Sequence, residues 1–387
     1  MTFNLSLNLL LLPLALVCGC GSDSGRADLR QGMAALRQKD YSAAIAGLTR
    51  AARRISDSAD LYYHLGSAHL AKGEMEPAET AFYAALELKP GYGEALAGLG
   101  QIAYYQKEIP KAKNLFEQAL AATLSSDEAA ACALNGLALS EAELHNNDMA
   151  RLHLLRAQRA CRKYAPTFYN LASLYRDAYN LREEALDNFE LYRHLADKNN
   201  RYHEKAENNI KRLRLNIERT QAEKLDSMRR DPSAAARLLH TGINAQSSRQ
   251  YARAAKAYSD ALTADPLAFN AAWGLATVRN LQGQREEALE SYKRAADINP
   301  GHHESHRQAA ALAIQLNRYE EAEKVLDRMI ARSPFTPFSA EMMARIRHAQ
   351  SRLPEARAYG EFYLSLLPPD DESRPAYEQW VKSLPQQ

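Results

Sequence analysis

The sequence predicts an all-α solenoid, a stack of antiparallel helix pairs. Three observations predict this class: small and apolar residues recur with a period of 34, each unit has a small residue in its first half, and a proline closes many units. One helix pair cannot bury its own apolar stripe, whereas a stack of pairs can. The 387 residues are therefore interpreted mainly as one repeated motif rather than as unrelated globular domains.

Two distant segments show the frame of the repeat. Tyr62–Pro90 and Ala272–Pro300 each contain a small residue, an alanine 12 positions later, an aromatic residue four positions after that, and a closing proline. Gly or Ala at the first place lets two helices approach closely, and proline stops the second helix. The small residues of the first helices are Gly32, Gly66, Gly100, Ala138, Ala172, Gly242, Ala276, Ala310 and Ala344.

This frame resembles the tetratricopeptide repeat (TPR), whose fold is a superhelix of antiparallel helix pairs. The resemblance implies five repeats in residues 25–198 and four in residues 235–368. The fourth repeat begins four residues late, and the fifth carries one extra residue near Tyr179, so both insertions are expected in loops. The first helices are expected to line a concave face.

Two segments lie outside the repeats. Residues 199–234 are charged, and Ile210, Leu213 and Ile217 are spaced as one helical stripe, which predicts a long linker helix covering the open end of the first block. Its charges indicate either a solvated face, which we favour, or a binding strip. The C-terminal segment, residues 369–387, is predicted to cap the last repeat through Tyr377, Trp380 and Val381.

The N-terminus has the pattern of an export signal. Leu5–Val17 is apolar, but its 13 residues are fewer than the roughly 20 that span a bilayer, so residues 1–19 are predicted to be a signal peptide. The next residues resemble the lipobox of bacterial lipoproteins, which implies lipidation of Cys20 and a tether over residues 20–24. An ordinary secreted chain or an uncleaved anchor is the alternative. Gly21 after the cysteine favours the outer membrane over the inner one.

Composition and motifs argue against several functions. A net charge of +2, from 49 basic and 47 acidic residues, lacks the electrostatic footprint of a nucleic-acid binder. The run Gly301–His306 has histidines three apart rather than in the His-Glu-x-x-His order of zinc proteases, so no metal site is predicted. No phosphate loop, nucleophile elbow or paired carboxylates stand out. We therefore expect no cofactor and no enzymatic activity.

Two further cysteines lie within the fourth repeat, Cys132 near its start and Cys161 near its end. Because the helices of a repeat are antiparallel, these thiols are expected to lie close together. In an oxidising compartment a disulfide closing about 30 residues would stabilise the fold by roughly 3.5 kcal/mol. The alternative is two buried thiols that serve as small apolar side chains.

The residues expected on the concave face suggest a protein partner. Tyrosine, tryptophan, asparagine and arginine contribute strongly at interfaces, although some of the tyrosines are expected to fill space between repeats. The candidates in the first block are Tyr63, His64, Gln101, Tyr104, Asn135, Tyr169, Asn170 and Arg176. The candidates in the second block are Asn270, Trp273, Asn280, Arg307 and Arg345.

These patterns predict a noncatalytic scaffold or assembly factor, held by lipid on the periplasmic side of a bacterial envelope, that binds a partner segment in its groove. The carboxylate clamp of some relatives is missing, because Leu29, Met33 and Glu94 occupy its places. The alternatives are a structural spacer without a groove ligand, and an accessory subunit of a secretion, pilus or polysaccharide-export machine. The sequence does not name the partner or the oligomeric state.

Overall fold

The computed structural model of the chain describes residues 23–198, 200–226, 228 and 230–385. Within these residues the secondary structure is helical, with twenty α-helices and one isolated bridge between Tyr92 and Thr123. The all-α prediction is therefore confirmed. The predicted signal peptide, the lipidation site Cys20 and most of the tether lie outside the described residues.

Contacts divide the described chain into two compact units. Unit 1 contains the residues up to Asn180 and Ala185–Lys211, and unit 2 contains Leu181–Glu184 and the residues from Arg212 onward. The border falls inside a long helix. The helices up to this border are α1 (Asp23–Arg37), α2 (Tyr41–Ala52), α3 (Ala59–Lys72), α4 (Met75–Leu88), α5 (Gly93–Tyr105), α6 (Ile109–Ala121), α7 (Asp127–Glu143), α8 (Asn147–Ala160), α9 (Ala165–Asp177), α10 (Arg182–Leu195) and α11 (Arg201–Asp226).

The helices after the border repeat the same plan. They are α12 (Pro232–Ser247), α13 (Tyr251–Ala264), α14 (Phe269–Leu281), α15 (Arg285–Ile298), α16 (His303–Gln315), α17 (Tyr319–Arg332), α18 (Pro337–Ala349), α19 (Leu353–Leu366) and α20 (Arg374–Ser383). The closing prolines Pro90, Pro266, Pro300, Pro334 and Pro368 each stand two residues after the last residue of a second helix.

One residue with a left-handed backbone marks the turn inside each helix pair. The chain then folds back through a Schellman-type bond, such as Glu108 N to Ala103 O at 2.9 Å and Gln250 N to Ala245 O at 2.8 Å. Within each unit the spacing of these residues is 34 except at the fourth and fifth turns, where it is 38 and 35. The extra residue of the fifth repeat lies in the loop between α9 and α10, as predicted. The four extra residues of the fourth repeat instead lengthen α7, which has 17 residues against 13 in α5, so the prediction of a loop insertion there is wrong. The nine residues with a left-handed backbone are Lys39, Gly73, Lys107, His145, Asn180, Arg249, Gly283, Asn317 and Ser351.

Aromatic rings of the second helices interlock neighbouring repeats. A methyl group on Gly66 would lie 2.8 Å from the Phe82 ring, as the sequence frame predicts for the small residue of the same repeat. A methyl group on Gly98, in the next repeat, would lie 2.5 Å from that ring. Phe82 is therefore held between two glycines, and its burial stabilises the stack by about 2–3 kcal/mol.

This arrangement of a ring between two glycines, which we call a ring slot, recurs at two other positions. A methyl group on Gly136 would lie 2.3 Å from Phe116, and one on Gly274 would lie 2.6 Å from Tyr258. Both rings are almost fully buried, and each also faces the glycine of its own repeat. At these three rings the close approach leaves room only for a glycine on each side.

The N-terminal half of α11 packs against the last repeat of unit 1. Tyr202 lies 5.4 Å from Tyr169 of α9, ring centre to ring centre, and Arg176 donates to Asn209 Oδ1 at 2.7 Å. Ile210 is buried on the predicted stripe. This half of the helix therefore covers one side of α9.

Candidate functional site

The first helices of the repeats lie on the inside of each unit. They contact one another along the stack, as α5 contacts α7 and α12 contacts α14. The second helices pack most extensively on the first helix of their own repeat and less extensively on that of the following repeat. We define the inner face of a unit as the second, fifth, sixth, ninth and twelfth places of its first helices, counting the small residue as the eighth. All thirteen predicted partner residues occupy such places.

The inner face of unit 1 is filled by its own side chains. Two of its predicted partner residues, His64 and Arg176, are half-buried, and Asn135 is fully buried. A partner segment has no access to a buried side chain without rearrangement. The buried residues among the predicted set are Tyr63, Gln101, Tyr104, Asn135, Tyr169 and Asn170.

Polar groups within this inner face bond to one another. Asn170 Nδ2 donates to Asn135 Oδ1 at 3.0 Å, and Gln101 Nε2 donates to Cys132 Sγ at 3.4 Å. Gln101 Oε1, Asn135 Nδ2 and Asn170 Oδ1 are buried and have no hydrogen-bond partner among the described residues. A cavity of about 20 Å³ beside Glu94 and Gln101 has room for one water molecule.

Aromatic contacts complete the filling of unit 1. The ring of Tyr169 lies 5.4 Å from Phe189 and 5.1 Å from Tyr192, and both contacts are edge-to-face. Tyr104 Oη donates to Glu143 Oε1 at 3.1 Å. These side chains therefore contribute to the core of unit 1.

An ion pair joins the two ends of unit 1. Lys39 Nζ, in the first turn, lies 2.9 Å from Asp197 Oδ2, just after α10. The Asp197 carboxylate raises the pKa of Lys39. Since the two side chains are 59% and 50% exposed, the pair adds at most about 1 kcal/mol. Its position nevertheless shows that the first and fifth repeats approach each other, which leaves little room between them.

The inner face of unit 2 is open. Asn270 and Asn280 are exposed, and the side chains of Arg307 and Arg345 are 47% and 60% exposed. Trp273 is half-buried, with its ring 4.9 Å from His302 and 5.2 Å from Tyr292. Every predicted partner residue of this block is therefore reachable from solvent.

Acidic neighbours hold the two exposed arginines in place. Arg307 donates from Nε and Nη2 to the Glu304 carboxylate at 2.6 and 2.5 Å, and this pairing lowers the pKa of Glu304. Its guanidinium lies 5.9 Å from the ring centre of Phe338. Arg345 Nη2 donates to Glu341 Oε1 at 2.6 Å. Each guanidinium keeps unused N–H donors for a ligand.

Sequence reasoning missed some of the apolar surface on this face. Ile243 is 47% exposed at the ninth place of α12, and Phe338 is half-buried at the second place of α18. Leu281, at the thirteenth place of α14 and so outside the inner face, is 58% exposed. Their places in the repeat frame would have been sufficient to find the first two.

The cysteine candidates lie in one apolar cluster but are not bridged. Cys132 and Cys161 belong to one cluster with Tyr164 and Leu124, at the point where the two ends of the repeat meet. Both are free thiols in the structure, and burial raises the pKa of Cys132 to about 11. The disulfide stays a prediction.

The histidines of residues 301–306 have local structural contacts. His302 Nδ1 accepts from Ser305 N at 3.2 Å and caps α16. His306 is buried, with Nε2 3.1 Å from Pro300 O. Across the described residues, no group of three or more His, Cys, Asp or Glu side chains is arranged to hold a metal ion. None of the described helices is long and apolar enough to cross a membrane.

The paired helices, the register of 34 and the interlocked rings define an all-α TPR solenoid. Residues 29–93 and 239–303 match one tetratricopeptide-repeat profile, and residues 279–346 match a second. No curated protein matches the chain. Proteins of this fold bind protein or peptide partners.

Several solved structures are similar to the chain. YrrB, a TPR protein with an unusual peptide-binding site, is 17% identical over 70% of this chain and 97% of its own, with a TM-score of 0.31. PilW, a type IV pilus biogenesis factor, is 16% identical over 66% of this chain and 99% of its own, with a TM-score of 0.40. MamA from Desulfovibrio magneticus RS-1 is 19% identical over 45% of this chain and 96% of its own, with a TM-score of 0.36. These similarities concern the fold alone.

Proposed function

We propose that the chain is a noncatalytic scaffold that binds an extended segment of a partner protein along the inner face of unit 2. The observation that carries this proposal is the difference in exposure between the two inner faces. The predicted partner residues of unit 2 are exposed or half-buried, whereas most of those in unit 1 are buried against one another. Unit 1 then provides a rigid base.

The side chains of the open face suit an extended backbone. Asn270 and Asn280 offer both donors and acceptors to a peptide, as amide side chains do. Trp273 offers a half-buried aromatic surface, the kind of residue that often dominates binding energy. Since Glu304 already orients Arg307, little side-chain entropy is lost when that arginine binds.

We also propose, from the N-terminal sequence, that the chain is anchored by lipid in a bacterial envelope. Cys20 would carry the lipid, and residues 20–24 would tether the first repeat to the periplasmic side of a membrane, the outer one by preference. A Cys20→Ser variant should then leave the membrane fraction and lose the label from a fed fatty-acid analogue. An unchanged membrane fraction would contradict lipid anchoring.

The binding proposal is tested by capture in intact cells. Trp273→Ala and Arg307→Ala should each reduce the recovery of a crosslinked partner at least tenfold, because the two side chains lie on the open face. The matched control is Arg328→Ala, on α17, since Arg328 is also 47% exposed and paired with a carboxylate, Asp297. The readout is mass spectrometry of the crosslinked species.

Two outcomes would change the conclusion. Equal recovery from all three variants would place the partner elsewhere on the chain. If no partner is captured by the wild-type chain or by any variant, the result would favour the alternative of a structural spacer. A partner that is itself part of a secretion, pilus or polysaccharide-export machine would identify the chain as its accessory subunit.

A further inference from the structure

A pocket of about 510 Å³ lies at the C-terminal end of unit 2. It is formed by α18, α19, α20 and the segment between the last two helices. Its volume is in the range of sites that hold a small molecule or a single large side chain. The lining residues are Glu341, Arg345, His348, Tyr363, Ser373, Ala376, Tyr377 and Trp380.

Aromatic rings make up much of the pocket wall. Tyr377 lies 4.4 Å from Tyr363 and 4.9 Å from Trp380, ring centre to ring centre, and Trp380 lies 5.7 Å from His348. The rings are tilted at 54–58° to one another. The π faces of Tyr and Trp carry partial negative charge, so a wall of this kind attracts cations.

A carboxylate and a buried phenol add to this negative character. The Glu341 side chain is 20% exposed, which places a carboxylate at the pocket wall with limited screening by solvent. Tyr377 Oη is buried and has no hydrogen-bond partner among the described residues. Burial raises the pKa of Tyr377, Glu341 raises it further and Arg345 opposes this, so both charged groups lie close to the phenol.

The wall also contains Arg345, which is paired with Glu341 at 2.6 Å. Its side chain is 60% exposed, so it can leave the carboxylate without losing buried packing. Solvent around the exposed guanidinium weakens its attraction to the carboxylate. A second cation that also contacts the rings would therefore compete successfully for Glu341.

We propose that this pocket binds a guanidinium or ammonium side chain of the partner, with Glu341 as counter-ion and Tyr363, Tyr377 and Trp380 as the aromatic wall. This proposal rests on the proposed function in one respect: the partner segment is taken as the source of the cation. An anion is disfavoured, because it would meet the carboxylate and the π faces after Arg345 had already been neutralised.

The test uses the two tryptophans of the full chain as reporters. Labelling with ¹⁵N-tryptophan gives two indole signals, which a Trp380→Phe variant assigns. N-acetylarginine amide should shift the Trp380 signal in a saturable way, with a dissociation constant on the order of 1 mM, and leave Trp273 unchanged. N-acetylaspartic acid amide and N-acetylleucine amide are the anionic and neutral controls.

Two variants give opposite expectations. Glu341→Gln should weaken binding of the arginine probe about tenfold, because it removes the counter-ion. Arg345→Gln should tighten binding several-fold, because it removes the internal competitor. Both side chains are solvent-accessible, and circular dichroism checks that both variants fold.

Three results would overturn the proposal: tighter binding of the aspartate or leucine probe than of the arginine probe, weaker arginine binding in Arg345→Gln, or no shift of Trp380 with any probe. The free probe tests the pocket without the partner, whereas the crosslinking variants Trp273→Ala and Arg307→Ala test the open face. Failure of the pocket and failure of the proposed function are therefore distinguishable.

Discussion

The inner faces of the two units have the same repeat frame and opposite exposure. In unit 1, Asn135 and Tyr169 are buried among their neighbours, whereas in unit 2, Arg307 and Arg345 are about half exposed. The difference shows that position in the repeat does not by itself decide whether a residue meets a partner. The closure of the stack decides it, because a tightly closed stack turns its inner positions into core.

The largest expected difference between the two inner faces is in the free energy of unfolding lost when an aromatic residue is truncated. Tyr169→Ala should lower the free energy of unfolding by about 3–5 kcal/mol, because Tyr169 is 6% exposed and contacts three other rings. Trp273→Ala should cost clearly less, since Trp273 is only half-buried. Urea unfolding followed by circular dichroism measures both. Equal losses would show that the two faces do not differ as described.

Acid should affect the two units differently through their buried histidines. Burial, and then Arg156 and Lys113, lower the pKa of His153 in unit 1 to about 3. In the unfolded chain this histidine binds a proton at its ordinary pKa of about 6.5. Its contribution to the free energy of unfolding is therefore complete above that pH. On acidification toward pH 3 the contribution is lost, by about 1.4 kcal/mol per pH unit.

His306 of unit 2 is the matched case. Burial lowers its pKa as well, but the contact with the Pro300 carbonyl opposes the shift. His153→Gln should therefore flatten the dependence of stability on pH between about 6.5 and 4 more than His306→Gln does. Stability measured across this range in both variants tests the difference, and equal flattening would contradict it.

The smallest effect should be the same in both units, because it concerns the shared turn. Lys107→Gly and Arg249→Gly should each stabilise the chain by about 0.5–1 kcal/mol, since a left-handed backbone is costly for a residue with a side chain. Gly283→Ala should cost about 1 kcal/mol. Gly91→Ala is the control, because Gly91 has ordinary φ and open space around it. A stabilisation confined to one unit would mean that the turns are not equivalent.

Much of the fold was readable from the sequence. The spacing of Gly66, Phe82 and Pro90 gave the helix pairs and their register, because close helix contact and helix termination depend on local residue types. The second glycine of each ring slot, such as Gly98 or Gly136, was missed. It belongs to the next repeat, whereas the sequence frame is defined within a single repeat.

The candidate site was less predictable. The repeat frame identifies the residues of the inner face in both blocks. The residues around Gln101 and Asn170 do not, however, indicate that these two amides are buried. Burial depends on the small rotation between successive repeats, which accumulates over five of them and brings Lys39 to Asp197. The pocket at α20 is not predictable for a related reason, since Tyr377, Trp380 and Val381 by themselves indicate only a cap on the last repeat.

Because each ring slot is shared by two neighbouring repeats, the ring slots determine where the chain can be truncated without exposing a buried ring. A fragment that ends after a second helix would keep its ring and lose the glycine wall that the next first helix supplies, as Phe116 would without Gly136. A well-behaved fragment therefore ends one helix later, at the end of a first helix. Helix α20 has the same role beside α19: a methyl group on Gly360 would lie 2.7 Å from Val381, so α20 covers the side of α19 that faces it.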